Sequence, residues 1–212
     1  MADDDTSAPL PIKRPVSASP RASRPGQVPR TEDGRHMRSA ESRRRILKAM
    51  LELVQEGDPD PAAEAVAARA NVGLRTVFRL FRDMESICAE MLKPEREDFV
   101  VCFVARFSSP RGPNRVRELF GRLARLYERG MALRRAGVIR RYSSPSLAAA
   151  IKELDDTIAA FLRLQLPDDE ARLDMLNLLL SYEAWLRLRD SQNLSYERTA
   201  ATLAAAMEHY LA

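Results

Sequence analysis

Between Pro61 and Phe81 the chain sets two short helical patterns around a three-residue break. Val66, Ala67 and Ala70 share one helical face, and Val77 and Phe81, one turn apart, share the next. Asn71-Val72-Gly73 separates them, and asparagine tolerates the left-handed conformation that ends a helix abruptly. Helices from Ala62 to Ala70 and from Leu74 to Phe81 are each under three turns, too short to persist alone in water. Both must dock on a neighbour, and the preceding segment supplies one. Its Ile46, Met50, Leu53 and Val54 recur at helical spacing, opened by Ser39 with Glu41 in the first turn and closed by Gly57. Asp60 before Pro61 reads as a capping carboxylate for the second helix. Asp83 to Lys93 reads as a fourth helix, interrupted by Pro94.

With Val77 and Phe81 turned inward, Arg75, Thr76, Arg79 and Arg82 are left on the outer side. The three arginines fall at i, i+4 and i+7, which predicts a single stripe. Two brief helices about a tight turn have the dimensions of a helix-turn-helix. In that setting arginines can bridge guanine edges in a major groove, and Thr76 can reach a phosphate or a thymine methyl. Arg43, Arg44 and Arg45 at the start of the first helix could clamp the phosphate backbone. Taken alone, the stripe reads more often as a solvated helix face than as a DNA reader.

The remainder also reads as helix. Val116, Leu119, Phe120, Leu123 and Tyr127 mark one amphipathic segment ended by Gly130, and Leu147, Ile151, Leu154, Ile158 and Phe161 mark another ended at Pro167. Residues 169–190 read as one long helix with two apolar faces. Leu173, Leu176 and Leu180 fill one, and Met175, Leu179, Tyr182 and Leu186 fill the other. Two such faces need two partners, one of which can be a second copy of the chain. Ser195 caps a last helix built on Ala200, Leu203, Ala204, Met207 and Leu211. Strict alternation of apolar and polar residues is absent, so the fold class is all-α. Residues 1–38 hold six of the 13 prolines and little periodic apolar character, which predicts a disordered basic tail. The organisation is therefore a tail over 1–38, a helix-turn-helix unit over 39–93 and a second helical unit over 94–212, which the resemblance described below makes a regulatory and dimerisation unit.

Charge does not by itself point to nucleic acid. The net charge is +4, but the surplus sits in residues 106–152, which carry twelve basic residues against Glu118 and Glu128 alone. Arg134, Arg135, Arg140 and Arg141 there flank Gly137-Val138-Ile139. They either face the acidic segment 153–212 or hold an anionic effector, with Arg140 and Arg141 as the candidate ligands. Trp185 serves either packing or an aromatic wall for such a molecule. An enzyme is not expected. The two histidines, His36 and His209, suggest no catalytic dyad, the eight glycines form no phosphate-cradling loop, and no His, Cys and carboxylate cluster has metal-ligand spacing. Asp155-Asp156 and Asp168-Asp169 read as solvated or capping pairs. Two cysteines, Cys88 and Cys102, read as inert thiols. The N-terminus lacks the pattern of a signal peptide, so a cytoplasmic protein without metal or cofactor is expected.

Residues 46–57, 66–81 and 84–87 together resemble the three-helix DNA-binding domain of tetracycline-repressor (TetR) regulators, in spacing as well as in residue type. Residues 182–189 through Ser195 and Tyr210 resemble the end of many members. The resemblance implies a homodimer on a double-stranded DNA operator, with recognition helices about one duplex turn apart or a multiple of it. It also implies an effector pocket in the C-terminal helices and repression relieved by a small molecule. Carried onto this chain, the DNA-contacting positions are Arg44, Arg45, Gly73, Leu74, Arg75, Thr76, Phe78, Arg79 and Arg82. Departures from the pattern are Gly73 for a capping serine, Asn71 for glycine, Phe78 for tyrosine, Leu80 for histidine or tyrosine, and Met84 for lysine. These losses of phosphate contacts leave a second reading, a protein-interaction module on the same fold without sequence-specific DNA binding.

Overall fold

The structure is a computed structural model and describes residues 32–166 and 169–212. Helix α1 spans Glu32–Gln55, α2 Ala63–Arg69, α3 Leu74–Leu80, α4 Met84–Met91 and α5 Lys93–Val104. Beyond them, α6 spans Pro113–Arg129, α7 Met131–Arg140, α8 Pro145–Gln165, α9 Glu170–Leu180 and α10 Tyr182–Leu186. A π-helical turn over Arg187–Ser191 leads to α11, Tyr196–Leu211. The described residues are helical with no strand, as the periodicity predicts.

Helix α1 begins at Glu32 rather than at Ser39, so residues 32–38 extend it instead of belonging to a structureless tail; the rest of that expected tail lies outside the described residues. Its other end follows the sequence. Gly57 has φ of 107°, its N–H bonds the Val54 carbonyl at 3.2 Å, and the Asp58 N–H bonds Leu53 at 3.1 Å. This pair of bonds closes the orphan carbonyls of the last turn, and the positive φ suits glycine. Asp60 does not cap α2. Ala62 occupies the cap position without a side-chain bond, and the Asp60 carboxylate lies 3.3 Å from Arg140 instead. Asp83 does cap α4, in a reciprocal box with Ser86. Pro94 sits in the first turn of α5, where its missing N–H costs nothing.

The expected long helix over 169–190 is broken. Ser181 adopts extended geometry (φ −71°, ψ 154°) and its hydroxyl accepts the Ala184 N–H, opening α10 as a new helix. Two buried anchors hold the break: the Tyr127 hydroxyl donates to Leu180 O at 2.8 Å, and Tyr182 donates to Met131 O at 3.0 Å.

Apolar burial forms two cores. The larger gathers α6, α8, α9, α10 and α11 around Leu119, Leu123, Leu162, Leu176 and Trp185. The smaller gathers α1 to α4 around Ile46, Met50, Val66, Val77, Phe81 and Ile87, and it also takes Leu133 and Ala136 from α7. Helix α7 is therefore shared between the two halves of the molecule. At its entry from α6, a Cβ on Gly130 would stand 2.6 Å from a Glu95 carboxylate oxygen and would displace that side chain.

Candidate nucleic-acid interface and the cavity behind it

Helix α3 is held by its inner face. Val77 is fully buried and Phe81 nearly so, packed on α1 and α2. Asn71 in the turn has φ of 51°, the left-handed conformation expected there, and its carbonyl faces the Arg45 guanidinium at 3.5 Å. Gly73 caps α3 with no side chain to offer, in ordinary extended geometry and open space.

The outer face carries Leu74, Arg75, Phe78 and Arg79, all exposed, with Thr76 half-buried beside them. Arg75 and Arg79 make no ion pair or hydrogen bond among the described residues. Phe78 is 48% exposed and stands beside the exposed Leu74 on this face. Arg82 departs from the expected stripe: α3 ends at Leu80, Phe81 is extended, and Arg82 pairs with its neighbour Asp83 at 2.9 Å. The third position at i+7 thus leaves the helix before it can extend the row.

Of the three arginines opening α1, the structure separates the roles. Arg43 is structural. Its guanidinium lies 4.2 Å over the Phe81 ring, donates to Leu80 O at 2.7 Å and grips the Glu90 carboxylate through Nε at 2.8 Å and through a second nitrogen. Arg43 thereby ties the end of α3 to α1 and α4, and its hydrogen bonds hold Glu90 below the usual carboxylate range. Arg44 is exposed and paired with Glu41 at 2.6 Å, within its own helix. Arg45 is half-buried against the turn before α3. Arg14, Arg21, Arg24 and Arg30 of the basic tail lie outside the described residues.

Behind the headpiece, α4, α5, α6, α7, α8 and α10 enclose a cavity of about 270 Å³. Leu92, Phe99, Leu133, Val138, Leu147, Ile151, Leu154 and Ile158 make most of its wall. Polar groups line it too, and most are engaged. Glu85 accepts the Ser144 hydroxyl at 2.5 Å and the Ser146 hydroxyl, bonds that lower its pKa. Arg134 pairs with Glu95 at 3.2 Å and lies over the Tyr127 ring. Arg140 contacts Cys88 Sγ at 2.6 Å as well as Asp60. Burial raises the Cys88 thiol, with Arg140 only partly opposing, so the group is an unreactive thiol at neutral pH. Asp155 alone stands on this wall without hydrogen bond or ion pair among the described residues. Burial first, then the nearby Glu183 carboxylate, pushes its pKa up to about 6.

The candidate effector residues are thus redistributed. Arg140 lines the cavity, but Arg141 is turned to Glu183 at 2.6 Å and is not part of the wall. Trp185 is fully buried against Tyr127 and Tyr196, at ring separations of 6.4 and 5.6 Å, and contributes to the core instead. The central basic excess mostly meets acids elsewhere: Arg117 with Glu208, Arg129 with Asp98, Arg135 with Asp190, and Arg141 with Glu183. Sequence reasoning missed Asp155, taking Asp155-Asp156 as a solvated pair. The signal was present, since Asp155 lies four residues after Ile151 and three before Ile158 and places a charge on the apolar stripe of α8.

Among the described residues no cluster of three or more His, Cys, Asp or Glu could hold a metal ion, and no helix is long and apolar enough to cross a membrane. The sequence matches no protein-family model and no curated protein. Solved structures do match in fold. The multidrug binding protein EbrR, complexed with imidazole, is 18% identical with a TM-score of 0.61, over 81% of this chain and 90% of that one. A transcriptional regulator from Rhodococcus sp. Rha1 is 17% identical with a TM-score of 0.60, over 82% and 95%. A TetR transcriptional regulator from Rhodococcus sp. RHA1 is 18% identical with a TM-score of 0.52, over 82% and 97%. The chain has the fold of these regulators.

Proposed function

We propose that this chain is a sequence-specific DNA-binding transcriptional regulator of the TetR type, a cytoplasmic homodimer whose hold on an operator is relieved by a small molecule in the cavity. The observation that carries the reading is the outer face of α3. Arg75 and Arg79, one turn apart, are exposed and unpaired on a helix whose opposite side is locked by Val77 and Phe81. Exposed arginines that spend no charge on the protein's own acids are available to base edges and phosphates. Leu74 and Phe78 beside them offer apolar contact to thymine methyls. Arg45 sits at the turn, where a phosphate would approach the start of α3.

Ligand control is supported by the shared α7. Leu133 and Ala136 pack in the headpiece core, Arg140 reaches Asp60 before α2, and Glu85 of α4 is bonded to Ser144 and Ser146 at the start of α8. The cavity wall therefore includes the side chains that fix the headpiece against the rest, so a bound molecule that moves α7 moves both. Dimerisation is supported by Met175 and Leu178, exposed apolar residues on α9. The role assigned is binding, not catalysis.

Gel mobility shift against the DNA upstream of the chain's own gene tests the reading. Arg75→Ala and Arg79→Ala should each weaken specific binding by about tenfold or more. DNA shifted equally by wild type and both variants would show non-specific charge attraction and overturn it. The second reading, a protein-interaction module, is favoured by the exposed Leu74 and Phe78 pair, and absence of any shift would leave it in place.

A further inference from the structure

We infer that the cavity takes a lipophilic cation, an apolar or aromatic amine whose ammonium sits against the Asp155 carboxylate. The inference rests on the ligand-controlled reading above and names its ligand class. Most of the wall is hydrocarbon, so the ligand's bulk is apolar. What selects among apolar ligands is the charge left uncompensated on that wall.

Seven charged side chains line the cavity, and six are answered. Glu85 has the Ser144 and Ser146 hydroxyls, Glu95 has Arg134, and Glu183 has Arg141. Arg96 has Glu153 at 2.7 Å, and Arg140 has Asp60. Asp155 has none. An anion would have to compete for guanidinium groups already held by carboxylates. The Nε atoms of Arg134 and Arg140 lack partners, but protein atoms cover them, so they do not open on the cavity. A cation meets the opposite situation, because it pairs with Asp155 and relieves its repulsion from Glu183. Asp155, with a pKa of about 6, is mostly ionised at pH 7.5.

Isothermal titration of the full chain, without DNA, with n-octylammonium, n-octanol and n-octanoate separates head charge from chain burial. At pH 7.5 the ammonium should bind about tenfold tighter than the alcohol, and octanoate weakest of the three. In Asp155→Asn the ammonium should lose that advantage while octanol binding stays unchanged, which also shows that the variant folds. Wild type at pH 5 supplies the same comparison without a variant. Glu183 and Arg141, from α10 and the end of α7, face Asp155 with Lys152 and Asp156 of its own helix, and Asp155 itself is then mostly protonated. The ammonium's preference should shrink toward that of the alcohol. Octanoate binding as tightly as octylammonium, a preference that survives Asp155→Asn or pH 5, or no binding by any of the three would overturn the inference. None of these outcomes involves DNA, so the operator shift stands or falls separately.

Discussion

Asp155→Asn should make the unliganded protein more stable at neutral pH. An aspartate at its ordinary 3.8 in the unfolded chain and at about 6 when folded must be ionised at a cost on folding. For a fully dry group that difference corresponds to about 3 kcal/mol. Asp155 is only half-buried, and screening by solvent reduces it to about 1 kcal/mol. The sign follows from which state releases its proton first. With the folded pKa raised, this group's contribution is fully present below about pH 4 and is lost as pH rises through about 6. Asparagine does not titrate, so the variant's advantage should appear at pH 7.5 and fade by pH 4. Urea unfolding followed by the fluorescence of Trp185, the single tryptophan and fully buried, measures both. A variant less stable than wild type at pH 7.5, or an equal difference at both pH values, would refute the assignment of Asp155 as a charge held against its preference.

Three further outcomes follow from groups described above. Glu90→Gln removes the anion that Arg43 grips and should cost the headpiece about 1–2 kcal/mol in urea unfolding, while leaving the exposed α3 face intact. Glu118, which accepts the Ser108 and Ser109 backbone N–H groups and so has a pKa lowered to about 2, should hold the loop before α6 at neutral pH. At neutral pH hydrogen exchange at those amides should accelerate in Glu118→Gln, and in wild type their protection relative to the intrinsic exchange rate should fall as pH drops from about 4.5 toward about 2. Leu178→Asp places a charge on the exposed apolar face of α9, and light scattering should show a dimeric wild type and a monomeric variant.

What the sequence made legible was local. Val77 and Phe81 announce the inner side of α3 by spacing, Asn71 announces the left-handed turn, and Gly57 the end of α1, because each depends on neighbours within a few residues. Arg75 and Arg79 follow by elimination, as the residues left outside. The failures are tertiary. Asp60 has the residue type and position of a cap, yet Arg140, eighty positions away in the sequence, competes for its carboxylate. Ser181 breaks an otherwise continuous leucine-rich helix because hydrogen bonds from Tyr127 and Tyr182 fix the chain on either side. Arg43 carries the same charge as Arg44 and Arg45 but points to α4, and only its azimuth on α1 distinguishes them. Trp185 takes the packing role, one of its two readings, while Asp155, read as solvated, lies on the cavity wall, since burial by six different helices decides which side chain meets empty space.

The sharing of α7 has a consequence for how the molecule comes apart. Leu133 and Ala136 complete the apolar interior beneath α1, although they lie some forty residues beyond Lys93. A fragment cut at the apparent seam would strip α7 from α1 and open that core to water, so the N-terminal half is not a detachable module. Its integrity is borrowed from the half that contains the cavity, and loosening either one is felt as a loss of order in the other.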